Sequence, residues 1–151
     1  MLKITKFFLF IGVVLFSLNS FSQVGINTDT PNSMLDINGN LSVATATLPG
    51  GAPFFATPIT DQGVYYSLNP SDTAREFLLP RAQDCRGRIY ILRNISSSYP
   101  AVLYINSVPS SGGQFFAKNS ISSTTSVSMP FTGELKTAIF ISDGTNWTYI
   151  F

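Results

Sequence analysis

Short runs of β-branched and aromatic residues, broken by Gly, Pro, Asn and Ser, make up the chain from residue 23 onward. No stretch there sustains the 3.6-residue period of an amphipathic helix, so the pattern predicts strands. Gly63–Leu68 and Arg75–Leu79 are the first clear ones, the second stopped by Pro80. Gly87–Asn94 is apolar on both faces through its middle, as expected of a central strand covered on both sides. Ala101–Ile105 follows, and then Ser126–Met129, whose strict alternation suits a strand covered on one face only. Thr137–Ile141 is again doubly apolar, and Asp143-Gly144 turns the chain into Asn146–Phe151. Strands at intervals of roughly ten residues predict an all-β sandwich, barrel or small β-prism.

The earlier part of the chain reads differently. Met1–Lys6 carries two lysines and no acid, and Phe7–Phe16 is unbroken apolar sequence. Small residues Ser20 and Ser22 then sit at −3 and −1 of a cut before Gln23, which predicts a cleaved secretory signal peptide over residues 1–22. The apolar core is about half of the roughly 20 residues that cross a bilayer. In the mature chain no transmembrane segment is expected.

Residues 23–47 form a strand-turn-strand segment. Met34–Ile37 and Leu41–Thr45 flank Asn38-Gly39-Asn40, a hairpin signal because Asn and Gly accept the positive φ of a tight turn. Leu35, Ile37, Leu41 and Val43 give this piece an apolar face, yet it is too short to bury a core alone. Residues 48–80 are a Pro-punctuated connector with strands, and 81–151 a C-terminal β-domain.

Composition narrows the function classes. Without Lys3 and Lys6 the seven remaining basic residues face eight acids, a balance that argues against nucleic acid or a polybasic membrane-surface role. The chain has no histidine and one cysteine, Cys85. That removes Ser-His and Cys-His nucleophile systems, the usual zinc sites and any intrachain disulfide. Phosphate-binding Gly-rich motifs are absent, and the acids form no calcium loop or evident catalytic pair. A non-enzyme without cofactor or metal is the reading.

Two features suit binding. Arg75, Arg81, Arg86, Arg88 and Arg93 crowd one stretch and suit a polyanion, or else solvate strand ends. Trp147 and Tyr149 share one side of the last predicted strand and suit a sugar ring, or else belong to the core.

Val24-Gly25-Ile26-Asn27-Thr28-Asp29-Thr30-Pro31, with Leu35-Asp36-Ile37-Asn38-Gly39-Asn40-Leu41, resembles the opening of many exported proteins of gliding and related Gram-negative bacteria. It is also similar to head-side repeats of phage tail fibres. Leu79-Pro80, Cys85–Ile91, Asn94 and Ser142–Trp147 resemble the β-domain that often follows in such proteins. The resemblance implies a fibre-like, adhesin-like surface or secreted protein, intertwined as a homotrimer. In it, Leu35, Ile37, Leu41 and Val43 would meet neighbouring chains. The other expectation is a monomeric carbohydrate-binding sandwich that meets a surface glycan through Trp147 and Tyr149.

Overall fold

A computed structural model describes residues 24–27, 35–108 and 112–151. The expected signal peptide and its expected Ser22–Gln23 cut lie outside the described residues. The chain divides into two compact units, one ending at Ser42 and one spanning Val43–Phe151.

In the first unit β1 (Val24–Ile26) pairs in parallel with β2 (Leu35–Ile37). Val24 lies opposite Leu35 and Ile26 opposite Ile37, so the four aliphatic residues share one face. Asn27, at φ 58°, leaves β1 in the left-handed region and donates from Nδ2 to the Asn38 carbonyl at 3.0 Å. The expected hairpin does not form. Neither Asn38 nor Gly39 adopts positive φ, and residues 40–44 belong to no strand. The partner of β2 is β1, and the Asn38 N–H continues that ladder by donating to the Ile26 carbonyl at 3.0 Å.

The second unit is all-β, as the pattern predicts. Its strands are β3 (Thr45–Leu48), β4 (Thr57–Pro58), β5 (Tyr65–Leu68), β6 (Glu76–Leu79), β7 (Ile89–Asn94), β8 (Ala101–Ile105), β9 (Phe115–Ala117), β10 (Ser123–Thr124), β11 (Ser126–Met129), β12 (Thr137–Ser142) and β13 (Trp147–Ile150). Two sheets result, one ordered β10-β9-β13-β12-β7-β5-β3 and the other β11-β8-β6-β4. Pro80 and Pro130 follow β6 and β11 directly, where a missing N–H ends a ladder without loss.

From β3 to β8 the chain alternates between the sheets. β3, β5 and β7 stack in parallel in the larger, and β4, β6 and β8 in parallel in the smaller. Three coils are thereby laid one on another, with Ala46, Tyr66 and Leu92 in one row and Thr57, Phe77 and Leu103 in another. The remaining strands close the structure: β12 runs antiparallel to β7, β13 to β12, and β11 to β8. Residues 48–80 and 81–151 thus contribute neighbouring strands to the same two sheets.

The core lies between the sheets. Tyr66, Leu68, Tyr90, Leu92, Phe140 and Trp147 project from the larger one, and Phe77, Leu79, Leu103, Val127 and Met129 from the smaller. Asn94 is one of three buried polar residues among those described, with Ser96 and Ser142, and it is fully satisfied. Its Nδ2 donates to the carbonyls of Tyr99 and Met129, each at 2.9 Å, and its Oδ1 accepts the Ser96 N–H at 2.9 Å. That amide ties the end of β7 to the end of β11, a bond set that an apolar residue there would leave open.

Candidate functional site

The larger sheet presents an outer face that follows from strict alternation along its strands. Register places Tyr65, Ile91, Ile139 and Ile150 in one row across β5, β7, β12 and β13. A second row runs Ile89, Ile141, Thr148 and Phe116 across β7, β12, β13 and β9. At a strand spacing of about 4.8 Å, each row is about 14 Å long. Ile89 is 46 %, Ile139 38 % and Ile150 41 % exposed. No acid stands in either row, and Arg93, between Ser67 and Thr137, stands on the same face one row away.

Double apolarity in β7 and β12 predicts cover on both faces, and among the described residues of the second unit only the inner face has it in full. A contiguous aliphatic face on a central sheet region, rather than scattered single residues, is the signature of an interaction surface. The first unit carries a similar feature on a smaller scale. Leu35 and Leu41 are exposed, and Ile37 and Val43 are half-buried, the last at the start of the second unit.

Trp147 is placed differently from the sugar-platform expectation. It points inward from β13, is fully buried, and stacks on Tyr90 with ring centroids 5.6 Å apart. Its indole N–H donates to the Pro80 carbonyl at 3.0 Å, so both the ring and its polar atom are committed to the core. Tyr149 is half-buried and lies between Phe140 and Phe151, at 5.5 and 5.9 Å. Neither ring offers a free face to a sugar.

The surrounding Ser142–Trp147 motif is a structural turn. Asp143 Oδ1 accepts the N–H groups of Thr145 and Asn146 at 2.6 and 2.7 Å, and Asn146 Oδ1 accepts that of Gln114 at 3.0 Å. Ser142 Oγ donates to the Ala82 carbonyl at 2.8 Å, tying the turn to the segment before β7.

Three of the five arginines are engaged within the chain. Arg75 pairs with Asp72 at 3.0 Å, and Arg81 reaches both carboxylate oxygens of Asp84, at 2.7 and 2.9 Å. The Arg88 guanidinium lies 6.0 Å from the Tyr90 ring centre. These contacts match the strand-end role better than a polyanion site. Among the described residues no three His, Cys, Asp or Glu side chains come together to hold a metal ion, and no helix is long and apolar enough to cross a membrane.

Cys85 is buried, and its thiol donates to the Arg81 carbonyl at 3.1 Å. Burial raises its pKa above the ordinary 9.0, against the opposing pull of Arg88, and burial likewise raises that of Tyr90 above 10.0. Both groups are neutral in the folded state and ionise at lower pH when unfolded. The stability they confer is complete below their unfolded values and declines as pH rises through the folded ones. Urea midpoints therefore hold steady from about pH 7 to the ordinary cysteine value and fall above it, and Tyr90→Phe flattens part of that fall. An alkaline limb unchanged in both Tyr90→Phe and Cys85→Ala would contradict this assignment.

A further cleft, missed by strand-pattern reasoning, opens on the outer face of the smaller sheet. It has a volume of about 480 Å³ and is lined by Pro53, Phe54, Phe55, Glu76, Leu78 and Tyr104, together with Ala56. Two phenylalanines inside a Pro- and Gly-rich loop, where no core needs them, are the sequence signal for it.

Comparison with known proteins finds no matching family model, curated protein or solved structure. Function is therefore read from this chain's own surfaces.

Proposed function

We propose that this is an exported, non-catalytic structural protein that assembles with copies of itself, as a homotrimer, into a short fibre-like or adhesin-like surface element. The observation that carries the reading is the uncovered aliphatic face formed by Ile89, Ile91, Ile139, Ile141 and Ile150. A monomer would leave that face in water, whereas three copies turned toward a common axis would bury it. Apolar burial at about 25 cal/mol per Å² is the largest favourable contribution to such an association.

The aliphatic face of Val24, Ile26, Leu35 and Ile37 supports the same reading. A two-stranded sheet is marginal by itself and gains stability when further strands or a second layer cover it. Export is supported by the order of charged, apolar and small residues over 1–22, and the lack of histidine supports a non-catalytic role.

Light scattering on the exported chain tests the proposal directly. The mature protein is expected to begin at Gln23 and to scatter with three times the mass of one chain at micromolar concentration. A stable monomer under those conditions would reject assembly as its mechanism.

A further inference from the structure

The structure assigns a binding site for a quaternary ammonium head to the cleft between the Gly51–Phe55 turn and the outer face of β6 and β8. The site lies on the opposite sheet from the aliphatic face and wholly within one chain. It therefore does not depend on the oligomeric reading.

The cleft is built by specific backbone chemistry. Gly51 exchanges two hydrogen bonds with Glu76, its N–H reaching the Glu76 carbonyl at 2.9 Å and its carbonyl receiving the Glu76 N–H at 2.8 Å. The turn that carries both phenylalanines is thus pinned to the residue that carries the carboxylate. Only glycine suits this position, because a Cβ on Gly51 would come within 1.9 Å of the Phe55 carbonyl oxygen.

The turn itself is unusual. The Phe55 N–H donates to the Ala52 carbonyl at 2.9 Å, with Pro53 second and Phe54 third at φ 68°. That is a type II turn, whose third position favours glycine. A bulky aromatic stands there instead, 98 % exposed, beside Phe55 at 82 %. Packing within the chain does not account for either ring. An unfavourable backbone held at a cleft that presents aromatic rings points to ligand contact.

Charge then selects the ligand. Glu76 is the one charged residue lining the cleft, and no ion pair or side-chain hydrogen bond engages its carboxylate among the described residues. Phe54, Phe55 and Tyr104 line the same cleft, and the negative faces of aromatic rings attract cations. An anion is repelled. A metal ion lacks the several oxygen ligands it requires. A primary ammonium is strongly hydrated and must give up part of that shell to sit against the rings. A quaternary ammonium has no donors to satisfy, and its methyl groups pack on the rings. The cleft is also larger than such a head, leaving room for the chain attached to it.

Choline chloride is the probe, followed by amide chemical shifts of the isotope-labelled full-length mature protein. Saturable shifts are expected at Gly51, Phe54, Phe55, Glu76 and Tyr104. Glu76→Gln, which keeps the backbone bridge, is expected to weaken binding about tenfold or more, and ethanolamine to bind correspondingly less well. Phe54→Gly is expected to fold at least as stably, because glycine suits the turn, and yet to lose affinity. Phosphatidylcholine vesicles whose binding choline displaces would place the head on a lipid, and lack of vesicle binding would place it on a soluble molecule. Both results support the site. Equal affinity for the neutral isostere 3,3-dimethylbutan-1-ol, unchanged affinity in Glu76→Gln, or choline shifts elsewhere would overturn it.

Discussion

Replacing Trp147 with Ala lowers the stability of the second unit by about 3–5 kcal/mol, the usual range for deleting a fully buried large aromatic. The indole fills space between the sheets, stacks on Tyr90 at 5.6 Å and donates to the Pro80 carbonyl. Its removal leaves a cavity, and the Pro80 carbonyl loses its donor. Surrounding strands cannot collapse into the gap, since β13 is held on one side by β12 and on the other by β9. Trp147→Phe restores most of the volume but not the N–H, so it is expected to fall between wild type and Ala. Urea unfolding of the three proteins measures the effect. A loss below about 1 kcal/mol in Trp147→Ala would show that the indole is not a core residue. The result also decides how ligand data are read. Binding lost in Trp147→Ala would report lost folding and not a lost sugar platform.

Ile139→Asp is expected to dissociate the proposed assembly while leaving the single chain folded. Ile139 lies in the aliphatic row between Ile91 and Ile150, on β12, and is 38 % exposed within one chain. In a monomer the new carboxylate keeps its water. The cost there is a strand-propensity difference of about 1 kcal/mol or less. In an assembled face each copy would bury an ionised group among isoleucines, at several kcal/mol per charge, of which Arg93 in the next row offsets only part. Scattering mass should therefore fall to that of one chain, with little change in the far-ultraviolet dichroism. Ile139→Thr, isosteric with valine and uncharged, should retain assembly with weaker affinity. An Ile139→Asp protein that keeps the mass of the wild-type assembly would remove this face from the interface.

The sequence pattern carries much of the fold. Both doubly apolar strands, the alternating Ser126–Met129 and the terminal Trp147–Ile150 are strands in the structure, because runs of β-branched and aromatic residues suit extended, paired backbone. Residues such as Thr57-Pro58 and Ser123-Thr124 left no such mark. Strands of two residues are too short for a period and owe their conformation to the neighbours that pair with them. The Asn38-Gly39 pair shows the opposite error, a strong local turn signal overridden when β2 paired with β1.

Periodicity also puts Trp147 and Tyr149 on a common side without saying which side faces the core. That phase is decided by pairing with β12 and β9, which only tertiary structure supplies. The cleft required more still. Its two phenylalanines and its carboxylate are separated by about twenty residues of chain, and a backbone bridge at Gly51, where no side chain fits, joins them. What the sequence by itself determined was the all-β character, the apolar strand faces and the absence of histidine chemistry, since these depend on residue types and local period. Parallel stacking of the coils, the inward turn of Trp147 and the meeting of Phe54, Phe55 and Glu76 are long-range events. They were decided by which backbone edges found each other during folding.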